Sequence, residues 1–198
     1  MIQKTRARHV LSRLLAPSPL HHHHANQCIL GHSVDEIHSV VSDVEKYSEF
    51  LPWCEQSTVH IRRKEYMEAT LNVRFLCFRE SYRSKVVISN KDRIDTELIG
   101  ENSFLKSLHC SWEFQNISQD EMSQILDKRR PRSKFSSRAP ERKSYAKIWF
   151  KVDFVFANAT HSKLCGIFMN HVVHKMTKGF ERRCREKYGP PSFVHLKL

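Results

Sequence analysis

The chain has 198 residues, a formal net charge of +12 and a mean hydropathy of −0.53. That length suits one domain with some ornament, large enough to bury a core without disulfides or a metal. No stretch approaches the ~18 consecutive apolar residues of a membrane-spanning helix, and five glycines offer neither a Gly-rich phosphate loop nor a GxSxG nucleophile elbow.

In chain order, MIQKTRARHVLSRLLAPSPL carries Lys4, Arg6, Arg8 and Arg13 with no acid, interspersed with Val10, Leu11, Leu14 and Leu15. A basic, amphipathic, acid-free start without an apolar h-region reads as a mitochondrial transit peptide, placed over residues 1–25. The run His21–His24 reads as part of that flexible tail, with weak metal affinity at most. HSVDEIHSVVSDV is a short amphipathic helix. KYSEFLPWC, Lys46 to Cys54, follows as an apolar corner. Pro52 ends a second short helix there, because the residue before a proline is pushed out of helical geometry.

Alternation with period two then dominates. Leu71, Val73 and Phe75 form one inward face, and Ile94, Thr96 and Leu98 another. Leu108, Cys110, Trp112 and Phe114 form a third, and Phe150, Val152, Phe154 and Phe156 a fourth. Each reads as a strand with one buried and one wet face, which favours antiparallel sheet. From Leu164 the apolar positions Ile167, Phe168, Val172, Met176, Phe180 and Cys184 recur every three or four residues. This predicts a long amphipathic helix from near Thr160 to the stop at Gly189-Pro190-Pro191. Residues 127–147, rich in Lys, Arg, Ser and Pro, read as a flexible loop between strands, and 192–198 as a tail. The order is then a short strand, two short helices, about six strands and one long C-terminal helix, which implies an α+β sheet-on-helix layer.

Residues 35–119 carry 11 basic and 14 acidic side chains, against nine and four in 120–147 and nine and three in 148–198. The positive charge is therefore confined to the two ends and the mid-chain segment, which suits an anionic membrane surface or RNA. The six cysteines form no CxxC pair and no zinc-finger spacing, so they read as reduced thiols. The paired acids Asp35/Glu36 and Asp92/Asp95 fall at a helix start and a turn, where acids cap. His171 and His174 share a helix face without an identifiable third ligand. No catalytic residue and no metal site follow from these residues.

SVVSDVEKYSEFLPWCEQSTV, SWEF at Ser111–Phe114, WFKVDFVF at Trp149–Phe156 and FERRCREKYGP at Phe180–Pro190 occur in the order and spacing of the coenzyme Q-binding proteins. The chain resembles this mitochondrial family, within the START-like, polyketide-cyclase-related superfamily, over roughly residues 27–191. YxEFLPWC and FERRCxxxYGP carry the match together. The resemblance implies a helix-grip fold: a curved antiparallel sheet closing on the C-terminal helix around a hydrophobic tunnel, in a domain spanning 26–191. It implies a non-enzymatic protein whose bound ligand is ubiquinone, supporting respiration and quinone biosynthesis. It implies a peripheral location on the matrix side of the mitochondrial inner membrane, with quinone-biosynthesis or respiratory-chain proteins as partners. The chain departs from the family at Ile167-Phe168-Met169-Asn170, at Phe75-Leu76-Cys77-Phe78 and in the basic insertion.

A polyprenyl quinone needs apolar walls, since its tail binds through area removed from water. The expected ligand-binding residues are Phe50, Leu51 and Trp53 at the corner, Val73, Phe75, Trp112 and Phe154 on strands, and Phe168, Val172 and Met176 on the helix. The quinone ring could stack on Trp53 or Trp112 and accept hydrogen bonds. Arg182, Arg183, Arg185 and Lys187 are the expected contacts to an anionic membrane. The alternative is an RNA- or ribosome-associated START-like module, drawn from DKRRPRSK. Against it, nucleic-acid readers interleave exposed aromatics with basic residues, and here most aromatics alternate inward, so nucleic acid is the less favoured partner. A cyclase-type enzyme would need an acid or base within the inward faces, which are nearly free of Asp, Glu and His.

Overall fold

The computed structural model describes residues 20–75, 78–129, 144–192 and 196–197. Side chains are described for these except Phe75, Phe78, Arg129, His161, 163–174 and Lys197. The transit-peptide reading of residues 1–19 lies outside them, as do 130–143 of the basic insertion.

Strand β1 (His21–Leu30) is followed by helix α1 (Val34–Ser42), a 3-10 turn (Val44–Lys46) and the single-turn helix α2 (Tyr47–Phe50). Six strands come next: β2 (Cys54–Arg62), β3 (Tyr66–Phe75), β4 (Phe78–Ser89), β5 (Arg93–Leu98), β6 (Leu105–Ile117) and, after helix α3 (Gln119–Arg129), β7 (Tyr145–Phe156). Helix α4 (Ala159–Tyr188) and the two-residue strand β8 (Leu196–Lys197) end the chain. All strands join one antiparallel sheet in the order β2-β3-β4-β5-β6-β7-β1-β8.

The expected α+β layer is present, and the inward faces alternate as anticipated. On β7, Ala146, Ile148, Phe150, Val152, Phe154 and Phe156 are buried while their neighbours are not. The register shifts between β2 and β3 and between β6 and β7 are irregularities of the kind that locally bend and twist a strand. The capping box at Ser33 sets the start of α1: Ser33 Oγ accepts from Glu36 N–H at 3.2 Å, and Glu36 Oε2 accepts from Ser33 N–H at 3.0 Å. Leu51, before Pro52, is extended at φ −95°, ψ 113°, so α2 stops where the proline requires. At 30 residues α4 is about 45 Å long, enough to cross the sheet. No helix among the described residues is long and apolar enough to cross a membrane.

Four boundaries differ from the sequence reading. The histidine run belongs to the sheet: β1 pairs with β7 from His21↔Val155 to Leu30↔Ala146. His21 and His23 turn out to Asp153, at 3.4 and 2.7 Å, while His22 stacks on Phe154 with centroids 5.5 Å apart. The short first strand thus extends back through the histidines, whose uniform run has no hydropathy alternation to mark it. Asp127–Arg129 close α3, whose Met122 packs with Ile29 and Ile117, and Tyr145–Lys147 open β7, so the loop read over 127–147 begins and ends in regular structure. In the tail, Leu196–Lys197 pair with Ile29 and Cys28.

Candidate functional site

Between the curved sheet, α4 and the 44–53 corner lies a cavity of about 140 Å³. Val44, Tyr47, Leu51 and Trp53 form its corner wall. Leu71, Tyr82, Ser84, Val86 and Thr96 come from β3, β4 and β5. Phe104, Leu105, Leu108, Cys110 and Trp112 come from β6 and the turn before it. Phe150, Val152, Phe154 and Phe156 line it from β7, and Met176 and Phe180 from α4. Among these described lining residues there is no Asp, Glu, Lys, Arg or His.

The sheet positions the wall in two halves. Leu108 lies opposite Phe154, Cys110 opposite Val152 and Trp112 opposite Phe150. Aromatic packing ties this side together: Trp112 to Phe150 at 4.5 Å, Phe154 to Phe156 at 5.2 Å, and Phe104 to Phe156 at 5.3 Å. The β4–β5 side is more polar, with the hydroxyls of Tyr82, Ser84 and Thr96. Burial pushes the Tyr82 and Tyr47 phenols above their ordinary range. Burial likewise pushes the Cys110 thiol up to about 12 and the neighbouring Cys54 thiol up to about 11. All four stay protonated near neutral pH. Tyr47 O–H donates to Val41 O at 2.5 Å.

Of the expected ligand-binding residues, Leu51, Trp53, Trp112, Phe154 and Met176 line the cavity together. Phe50 does not. It is 4% exposed and packs edge-on against Phe180 (5.2 Å) and Tyr47 (5.7 Å), behind the wall. Val73 is also core, at 2% exposure, because it lies opposite Cys54 where the corner enters β2 and covers it. The side chains of Phe75, Phe168 and Val172 lie outside those described. Tyr47, Tyr82, Ser84 and Phe104 line the site without having been singled out. For Tyr82 and Ser84 the signal was available, since Tyr82, Ser84, Val86 and Ile88 alternate along β4.

The basic end of α4 is largely engaged within the fold. Arg182 Nη2 donates to Phe50 O at 2.8 Å, and Arg183 Nη2 donates to Glu49 Oε2 at 2.6 Å. Lys187 Nζ donates to Ser39 Oγ at 3.2 Å, and Arg185 is exposed. Lys46 first, then Arg183, hold the Glu49 carboxyl below its ordinary range. At Gly179 the corner comes closest: a Cβ there would meet Leu51 Cδ2 at 3.1 Å. These cations hold the corner and α1 onto α4.

A family model described as polyketide cyclase / dehydrase and lipid transport matches residues 30–181. The chain is 29% identical over 173 residues to the mitochondrial coenzyme Q-binding protein COQ10 of Drosophila melanogaster, covering 87% of this chain and 62% of that protein. It is 28% identical over 105 residues to the ribosome association toxin RatA of Pseudomonas aeruginosa, covering 53% of this chain and 72% of the toxin. In structure it is similar to the Zhui aromatase/cyclase of Streptomyces sp. R1128, with a TM-score of 0.64 at 10% identity over 84% of this chain and 95% of that one. At that identity the likeness is one of fold.

Proposed function

The chain belongs to the polyketide cyclase / dehydrase and lipid transport family, and from that premise we propose that it binds ubiquinone without transforming it. The observation that carries this reading is the cavity between sheet, corner and α4, lined by aromatic and aliphatic side chains with a few neutral hydroxyls. It is close in size to a cavity of about 150 Å³ known to accept benzene, so it suits a single ring. The planar quinone head fits the aromatic β6–β7 side, and its carbonyls need neutral donors, not charges. A polyprenyl tail is larger than this space. In this reading the corner moves from α4 to admit it.

The similarity to coenzyme Q-binding proteins supports the choice of ligand, and the name of the Drosophila relative supports a mitochondrial location. A binding role agrees with the described lining, whose phenols and Cys110 thiol are pushed away from neutral pH by burial. The finer reading is a peripheral protein on the matrix side of the inner membrane that chaperones or delivers quinone for respiratory electron transport and quinone biosynthesis. Arg185, with whatever Arg182, Arg183 and Lys187 leave exposed, would meet anionic lipid. Liposome binding should then rise with anionic lipid and fall with salt.

The test is to purify the protein, extract its bound lipid and identify it by mass spectrometry. Retained or newly taken-up ubiquinone is the expected result, and a cavity that holds none and accepts none overturns the proposal. Trp53→Ala should lower quinone content more than stability. The likeness to the ribosome association toxin favours a second reading, a ribosome-associated module. A gel shift with ribosomal RNA that depends on residues 127–147 would support it.

A further inference from the structure

We infer that Ser84 is the residue that recognises the polar edge of the bound ring, its hydroxyl donating a hydrogen bond to a carbonyl oxygen of a neutral, quinone-type headgroup. This rests on the ubiquinone reading and adds one atom to it.

Ser84 is 1% exposed, lines the cavity, and its Oγ has no hydrogen-bond partner among the described residues. A hydroxyl buried without a partner is costly, and native structures seldom keep one. Its direct cross-strand partners are apolar: Ala69 stands opposite on β3 and Leu98 opposite on β5. A ligand that brings a polar atom would satisfy it. Tyr47 is a weaker candidate, because its O–H is already donated to Val41 O. Thr96 is diagonal to Ser84 across β4 and β5, so it can flank the same carbonyl.

The layout gives the ligand an orientation. A flat ring stacked on the Phe154 side of the cavity turns its edge toward β4 and β5, where these hydroxyls are. An anionic lipid such as a fatty acid would place its carboxylate there without a cation, which disfavours it. A serine hydroxyl both donates and accepts. It can therefore donate to the carbonyl of a quinone and accept from the hydroxyl of the corresponding quinol, so both redox states fit the same place.

Calorimetric titration of the full chain with the tail-less ubiquinone headgroup, and with durene as a carbonyl-free ring of similar size, tests this. Ser84→Ala should weaken headgroup binding roughly five- to tenfold, the effect of losing one hydrogen bond. It should leave durene binding unchanged and should not lower the melting temperature of the ligand-free protein. Equal headgroup affinity in both proteins overturns the assignment of Ser84 and leaves the ubiquinone reading standing. Equal losses for headgroup and durene, or a lowered melting temperature, make Ser84 a packing residue and overturn it too. A wild-type protein that binds neither the headgroup nor long-chain ubiquinone removes the ubiquinone reading, and this one with it.

Discussion

The two sides of the cavity are held by different forces. The β6–β7 side is a ladder from Leu105↔Phe156 to Ile117↔Tyr145, regular from Ser107 onward, with large rings interlocked on its inner face. The corner opposite is a single helical turn and a proline. It reaches the sheet through Arg74 N–H to Trp53 O at 2.8 Å, and reaches α4 through side chains alone: Tyr47 and Phe50 edge-on to Phe180, Arg182, Arg183 and the close approach at Gly179. A ladder with a packed face opens only with the whole domain, whereas a corner held by side-chain ties can open locally. In the proposed reading, the first region serves stability and the second ligand entry.

The largest expected break in that contrast is Phe156→Ala. Phe156 is 1% exposed within the rigid wall, and its truncation should cost about 3–5 kcal/mol, read by urea unfolding. A loss much below that would mean the wall tolerates collapse. Gly179→Val comes next. It pushes on Leu51 and should cost about 1–3 kcal/mol by overpacking. Because the strain falls on the corner, quinone release in stopped-flow should quicken, and an unchanged rate would show that the corner is not the moving wall.

Smaller still is the double variant Arg182→Ala with Arg183→Ala. These ties are partly exposed, so stability should fall by about 1 kcal/mol or less, yet release should speed several-fold and wild-type release should become salt-sensitive. The smallest effect is the one from pH. Glu49 has a folded pKa below its ordinary value, so its tie to Lys46 and Arg183 is fully present above the unfolded pKa. It is lost as pH falls through the lower folded value, below about 4.3. Trp53 fluorescence should report a loosened corner in that acid range, and Glu49→Gln should abolish that part of the change.

Much of the fold was legible in the chain. Alternation located β3, β5, β6 and β7, and a three-to-four spacing located α4 almost to its ends, because one-sided burial writes its period into the residues. Pro52 announced the extended Leu51. The strand of histidines was not legible, since a uniform run has no period and β1 is held by pairing to β7. Nor was α3, a polar helix whose one buried anchor, Met122, docks on Ile29 and Ile117.

The site divides in the same way. Periodicity names Trp112, Phe154 and Met176, the proline corner and the family resemblance name Leu51 and Trp53, and all five meet in one cavity. Periodicity cannot separate a residue that lines a void from one packed behind it, which is why Phe50 and Val73 are core. It cannot tell a cation facing solvent from one folded back on its own chain, as Arg182 and Arg183 are. Which faces are buried can be read along the chain, because burial is a local choice repeated along each element. Where the buried faces fail to meet, leaving a ring-sized space with the Ser84 hydroxyl unpartnered among the described residues, depends on how the curved sheet, the corner and α4 close on one another.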